Sequence, residues 1–210
     1  MKVFQNDDMT TLLASEIDPS MGYKMVSGLV VPRPVAWVSS QSAEGVVNVA
    51  PFSSFNYVAH SPPMLAVNIA LQDDGTLKDS ARNIRDTGEF VVNITPTAAL
   101  DLMNQSSAEY PAHVSEAEVL DIPLLPSRLV KPPRVAVSPA QMECRLSQVV
   151  PLGTGINTLY IAEIVAFHVD KNVFDGRHID SVAMDPVARL GGPFYASLGE
   201  IHKRPRPKAV

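Results

Sequence analysis

Short strand-like runs separated by turn residues constrain this chain's fold more than any other feature. Val35-Ala-Trp-Val-Ser-Ser40 and Val46-Val-Asn-Val-Ala50 are rich in β-branched and apolar residues. Between them, Gln41-Ser-Ala-Glu-Gly45 has the length and the closing glycine of a hairpin loop. Met64–Ala70 predicts a third strand, ended by Gln72-Asp-Asp-Gly75, and Glu89–Thr95 predicts a fourth. Residues 141–150 and 158–169 predict two longer strands joined through Pro151-Leu-Gly-Thr-Gly155. Gly153-Thr-Gly155 begins like a dinucleotide fingerprint, but Thr158 stands where the third glycine belongs and a strand follows, so it reads as a turn. Helices are predicted over Met21–Val31 and Thr97–Ser106, and they interrupt the strands irregularly. The fold class is therefore mainly β with flanking helices, an antiparallel barrel rather than a doubly wound sheet.

One helix carries a chemical signal. Thr76 and Asp79 have the spacing of a capping box, which predicts a helix starting at Leu77 and closed by Gly88. Leu77, Ala81 and Ile84 make an apolar seam, and Lys78, Arg82 and Arg85 make a basic stripe one position on. Unpaired first-turn N–H groups, Lys78 and the Ser80 hydroxyl converge where the helix dipole favours an anion. Alone, the stripe reads more readily as the solvated basic face of a surface helix.

Charge and composition narrow the function. With 210 residues the chain suits one large domain or two small ones, and its net charge of −5 argues against a general nucleic-acid binder. The single cysteine, Cys144, suits a reducing compartment and a buried, inert thiol. Met1–Ser20 has no apolar signal region and no stretch reaches membrane-spanning length, so a cytoplasmic protein without membrane contact is expected. The five histidines are scattered with no metal-ligand spacing, and there is no Gly-x-Ser-x-Gly elbow or P-loop. Residues 107–139 hold six prolines, which predicts a lid-like insertion or an irregular excursion. The expected organisation is an extension over 1–20, a domain over 21–199 and a basic, Pro-interrupted tail over 200–210.

Four segments in order carry a family resemblance: Val31-Pro-Arg-Pro-Val-Ala-Trp-Val-Ser-Ser40, Ala50-Pro-Phe-Ser-Ser-Phe-Asn56, Lys78-Asp-Ser-Ala-Arg-Asn-Ile84 and Arg189-Leu-Gly-Gly-Pro-Phe-Tyr195. Together they resemble the flavin reductase-like family, whose domain is an FMN-binding split barrel, over about Tyr23 to Leu198. The resemblance implies that Ser53, Ser54, Phe55 and Asn56 form a loop along the isoalloxazine ring. It implies that Arg33, Pro34 and Ser39 line the ribityl and phosphate side, and that Lys78 and Ser80 hold the phosphate, with Arg82 and Asn83 assisting. Arg189, Gly192 and Tyr195 would form the C-terminal segment that approaches the site, in this family sometimes from a partner subunit.

The implied activity is an NAD(P)H:flavin oxidoreductase using FMN, with NADH or NADPH as reductant, acting as a homodimer; the resemblance also allows an oxygenase partner supplied with reduced flavin. Alternatives are an FMN-binding protein without reductase activity, such as an electron carrier or flavin store, and a flavin-free interaction scaffold. One departure stands out. Many small reductases of two-component oxygenases carry Gly-Asp-His on a late strand, and here the corresponding positions read Ala162-Glu163-Ile164. His168 lies four residues on, and regular alternation would put it on the face of Ile164 but roughly 13 Å along the strand.

Overall fold

The computed structural model describes residues 8–207; residues 1–7 of the expected extension and 208–210 of the expected tail lie outside it. In chain order the elements are α1 (Pro19–Leu29), β1 (Arg33–Pro34), β2 (Ala36–Gln41), β3 (Val47–Phe52), β4 (Phe55–His60), β5 (Pro63–Ala70), α2 (Asp79–Thr87) and β6 (Glu89–Ile94). A 3-10 turn (Thr97–Ala99) leads into α3 (Leu100–Gln105), followed by α4 (Glu116–Val119), β7 (Leu124–Leu125), β8 (Arg134–Val135), β9 (Ala140–Leu152) and β10 (Asn157–Val169). The chain ends with α5 (Ser181–Met184), β11 (Ala188–Arg189) and β12 (Tyr195–Ala196).

Seven antiparallel strands form one sheet in the order β3-β2-β6-β9-β10-β5-β4. The two edges, β3 and β4, are consecutive in the chain and are separated only by Ser53 and Ser54. The sheet must therefore curl until its edges meet at that corner, where the N–H of Asn68 on β5 donates to the Ser54 carbonyl at 2.8 Å. β3 and β4 do not pair, so the antiparallel barrel expected from the strand pattern stays split, as the family resemblance implies. A small sheet of β1, β11 and β12 lies beside it, with Arg33 opposite Arg189.

Strand β2 explains the two cores. Its alternate residues Ala36 and Val38 face a cluster with Leu65, Val67, Phe90, Val92 and Tyr160, inside the curl. Trp37 and the preceding Val35 face a second cluster with Met103, Ala117, Ile122 and Val135. Helix α2 adds Ala81 and Ile84 to the first cluster, with Leu77 packed alongside, as the apolar seam predicts. Burying Ile84 removes an aliphatic side chain from water, an effect of about 1.5–3 kcal/mol.

Two expectations need correcting. The helix begins at Asp79, with Lys78 at the N-cap and no side-chain cap. Thr76 is instead held by Asp74, and Asp79 pairs with Arg82. The proline-rich segment is not structureless, since it holds α4, β7 and β8 and contributes Ala117, Ile122 and Val135 to the second core.

Candidate functional site

A cleft of about 610 Å³ opens where the barrel is split. One wall is α1, through Gly22, Tyr23, Val26 and Ser27; the opposite wall is the β3–β4 corner, Ala50 to Ser54. Asn68 and Ala70 on β5 and Asn157 on β10 close the third side, and Lys78 and Ser107 stand at one end. There the cleft adjoins a smaller hollow of about 60 Å³, which shares Ala50, Phe52, Lys78 and Ser107 with it. Asn48, Asp79, Ser80, Glu109, Tyr110 and Glu116 are among the residues that line the rest of the hollow.

The hollow lies at the start of α2. The first turn of any α-helix leaves N–H groups without intrahelical partners, and here no side chain caps them. Lys78 forms no ion pair among the described residues. Unpaired donors and an unpaired cation therefore meet at the junction of hollow and cleft, as an anion requires.

Of the residues expected at the site, Arg33, Ser53, Ser54, Lys78 and Ser80 line these two spaces. Arg33 is committed elsewhere: its guanidinium donates to the carbonyls of Ser27, Val30 and Leu190, and its Nε reaches Ser53 Oγ at 3.5 Å. It ties α1, the β3–β4 corner and the C-terminal segment together. The Ser80 hydroxyl donates to Asn48 Oδ1 at 2.6 Å.

The others stand apart from both spaces. Phe55 and Asn56 belong to β4 and not to a loop; Phe55 packs on the barrel core, and Asn56 is exposed and accepts the N–H of Tyr57. Pro34 is exposed on β1. Ser39 shares the face of Trp37, where it is fully buried and donates to the Pro133 carbonyl. Arg82 pairs with Asp79, and Asn83 donates to Ser40 Oγ at 3.2 Å. Arg189 stacks 4.5 Å from the Tyr195 ring centroid and donates to the Gly192 carbonyl at 2.6 Å. The Tyr195 hydroxyl donates in turn to Asn104 Oδ1. Of the proline-rich segment, Ser107 to Tyr110 and Glu116 reach the site.

The sequence reading missed Asn48, Asn68, Asn157 and Glu116. Asn68 Nδ2 approaches Asn157 Oδ1 at 3.4 Å, and the buried Asn68 Oδ1 has no protein partner. Asn48 carries the one available signal, a polar residue inside a strand of valines. Glu116 Oε1 accepts from Asn48 Nδ2 at 2.6 Å, and Oε2 accepts from the Val49 N–H at 3.0 Å. Burial holds the Glu116 carboxyl above its ordinary pKa, against the opposing pull of these two donors.

A model of the flavin reductase like domain matches residues 27–183. This chain belongs to the flavin reductase-like family. Nitrilotriacetate monooxygenase component B from Bacillus cereus superposes with a TM-score of 0.91 at 34% identity, over 95% of this chain and 100% of that one. The 2-nitrobenzoate 2-nitroreductase NbaA of Pseudomonas fluorescens superposes with a TM-score of 0.85 at 28% identity, over 94% and 96% of the two chains. An uncharacterized protein of Halalkalibacterium halodurans is 36% identical, covering 88% of this chain and 90% of its own. No helix among the described residues is long and apolar enough to cross a membrane.

Proposed function

We propose that this flavin reductase-like protein binds FMN in the cleft and acts as an NAD(P)H:flavin oxidoreductase. The observation that carries the reading is Lys78, unpaired at the uncapped start of α2, where a large cleft meets a small polar hollow. The cleft's 610 Å³ is in the range of cofactor pockets, and its mixture of apolar walls with Ser53, Ser54, Asn68 and Asn157 suits a ring with polar edges. When bound, the flavin supplies hydride acceptance from NADH or NADPH and onward electron transfer. The protein's own part is to grip and exclude. Lys78 and the first-turn N–H groups of Asp79 and Ser80 hold the phosphate; Ser53 and Ser54 offer polar atoms to the ring edge; Tyr23 and Val26 of α1 shield the cleft from water.

A homodimer is part of this proposal. Tyr23, Val26 and Leu29 of α1 are 74%, 63% and 72% exposed, and α1 buries none of its residues in the single chain. A second copy that covered this wall would also finish the cleft. The likeness to a monooxygenase component B supports an oxygenase partner that draws on the reduced flavin.

A second reading, FMN binding without reductase activity, is favoured by one observation. No histidine lines the cleft. A shift in register between Ile164 and Ala166 resets the alternation of β10, so that His168 meets Glu143 and not the face on which Ile164 packs. Steady-state oxidation of NADH and NADPH by FMN-loaded protein separates the two readings. Turnover with either nicotinamide is expected; tight FMN with no oxidation of either would establish the second reading.

A further inference from the structure

In the wall of the hollow, Glu116, Asn48 and Ser80 form a hydrogen-bond relay whose direction is fixed at one end. Glu116 is 4% exposed, and its Oε2 accepts the backbone N–H of Val49, a donor that cannot be inverted. Its Oε1 accepts Asn48 Nδ2, so Asn48 Oδ1 faces the other way and accepts the Ser80 hydroxyl at 2.6 Å. Ser80 has one hydroxyl proton, and it goes to Asn48. An anion at the start of α2 therefore meets only lone pairs at Ser80 Oγ. The remaining donor to Asn48, the Ser40 hydroxyl, is weaker at 3.4 Å.

The relay can run the other way under one condition. If Glu116 carries a proton, the oxygen not bound to Val49 becomes a donor. The Asn48 amide then turns over, presenting Oδ1 to Glu116 and Nδ2 to Ser80, and the Ser80 proton is released towards the hollow. We propose that binding of a phosphate group at the start of α2 is coupled to uptake of one solvent proton by Glu116, with Asn48 turning over and Ser80 becoming a phosphate donor.

This rests on the reading of the cleft as an FMN site. Glu116 acts through Asn48 and Ser80, as a positioning residue. Its burial, which already favours the protonated form, makes that uptake accessible. The other titratable groups around the hollow are Lys78, Asp79, Glu109 and Tyr110. Asp79 is engaged by Arg82, while Arg85, on the same helix, turns to the Tyr160 hydroxyl. Strand β3, which carries Asn48 and Val49, has no titratable residue, and α4 adds only Glu118.

The test is calorimetric titration of the full chain with FMN and with riboflavin, near pH 7.5, in two buffers of different ionisation enthalpy. At that pH the phosphate of free FMN is already largely dianionic, its second pKa being about 6. Uptake of protons with FMN and none with riboflavin is expected. FMN affinity should fall with rising pH, by up to about tenfold per unit, as Glu116 is ionised in the free protein.

Glu116→Gln reproduces the protonated relay, because its oxygen must face Val49 and its amide nitrogen Asn48. The variant should bind FMN more tightly than the parent at pH 7.5, because it is spared the cost of protonating Glu116, with the gain growing as pH rises, flat pH dependence of its own and unchanged riboflavin affinity. Adding Ser80→Ala should remove that gain. Absence of proton uptake by the unmodified protein overturns the coupling, and this measurement decides even if the variant fails to fold. Unchanged or weaker FMN binding by folded Glu116→Gln also overturns it. If the unmodified protein binds FMN no better than riboflavin, the FMN reading itself is lost.

Discussion

His168 Nε2 lies 2.6 Å from Glu143 Oε1, and Glu143 in turn holds the backbone of Arg128–Val130. The Glu143 side chain is completely buried and accepts the backbone N–H groups of Arg128, Leu129 and Val130 at 2.7, 2.6 and 3.1 Å. Burial pushes the Glu143 pKa up, but the N–H groups of Arg128 and Leu129 and the bond to His168 outweigh it and hold it below the ordinary 4.5. A depressed folded pKa gives stability that is fully present above the unfolded value and is lost as pH falls through the folded one.

Glu143→Gln should therefore cost about 1–3 kcal/mol at neutral pH, because its amide group presents a donor to one of those N–H groups. It should also flatten the acid limb of stability below the unfolded value of 4.5. Denaturant melts between pH 3 and pH 7 check both effects. His168→Ala should lower stability while leaving any nicotinamide oxidation unchanged, since His168 lies outside the cleft.

Arg33 binds the carbonyls of Ser27 and Val30 near the end of α1 and that of Leu190 in the C-terminal segment. Where these segments touch, Gly191 approaches Gly28 so closely that a Cβ on Gly191 would sit 3.0 Å from the Gly28 Cα. Arg33→Ala or Gly191→Ala should displace α1 and weaken FMN and riboflavin alike, by roughly the 1–3 kcal/mol of a disrupted buried contact. Fluorescence titration with both flavins is the check, and a loss confined to FMN would place Arg33 on the phosphate instead.

Cys144 is fully buried in the barrel core, and burial pushes its thiol far above the usual range. The native protein should resist thiol reagents at pH 8 and react with one equivalent after unfolding. Rapid labelling under native conditions would contradict the packing of this strand.

Six of the seven strands of the large sheet were legible because each is an apolar run between turn residues; β4 was not, because Phe55 and Asn56 follow Ser53 and Ser54 directly and read as part of a polar loop. Ala81 and Ile84 were legible because helical spacing puts them on one face. The start of α2 was not. Thr76 and Asp79 have capping-box spacing, but Asp74 lies two residues from Thr76 and Arg82 three from Asp79, and these local partners win. Ser39 was expected at the site from its place in the Arg33–Ser40 motif, yet its face of β2 is set by Trp37 and points to the second core. Glu116 was invisible because its partners, Asn48 and Val49, are 68 and 67 residues away. The place of Lys78 beside the start of α2 was legible because a lysine next to an apolar helical seam is a local feature.

The central claim is that Lys78 and the start of α2 grip the phosphate of FMN. It is tested most directly by titrating the unmodified protein and Lys78→Ala with FMN and with riboflavin. The expected result is tighter binding of FMN than riboflavin by the unmodified protein, and a loss of about 1–3 kcal/mol in Lys78→Ala for FMN alone. Equal affinity for the two flavins, or an equal loss for both in the variant, would contradict it.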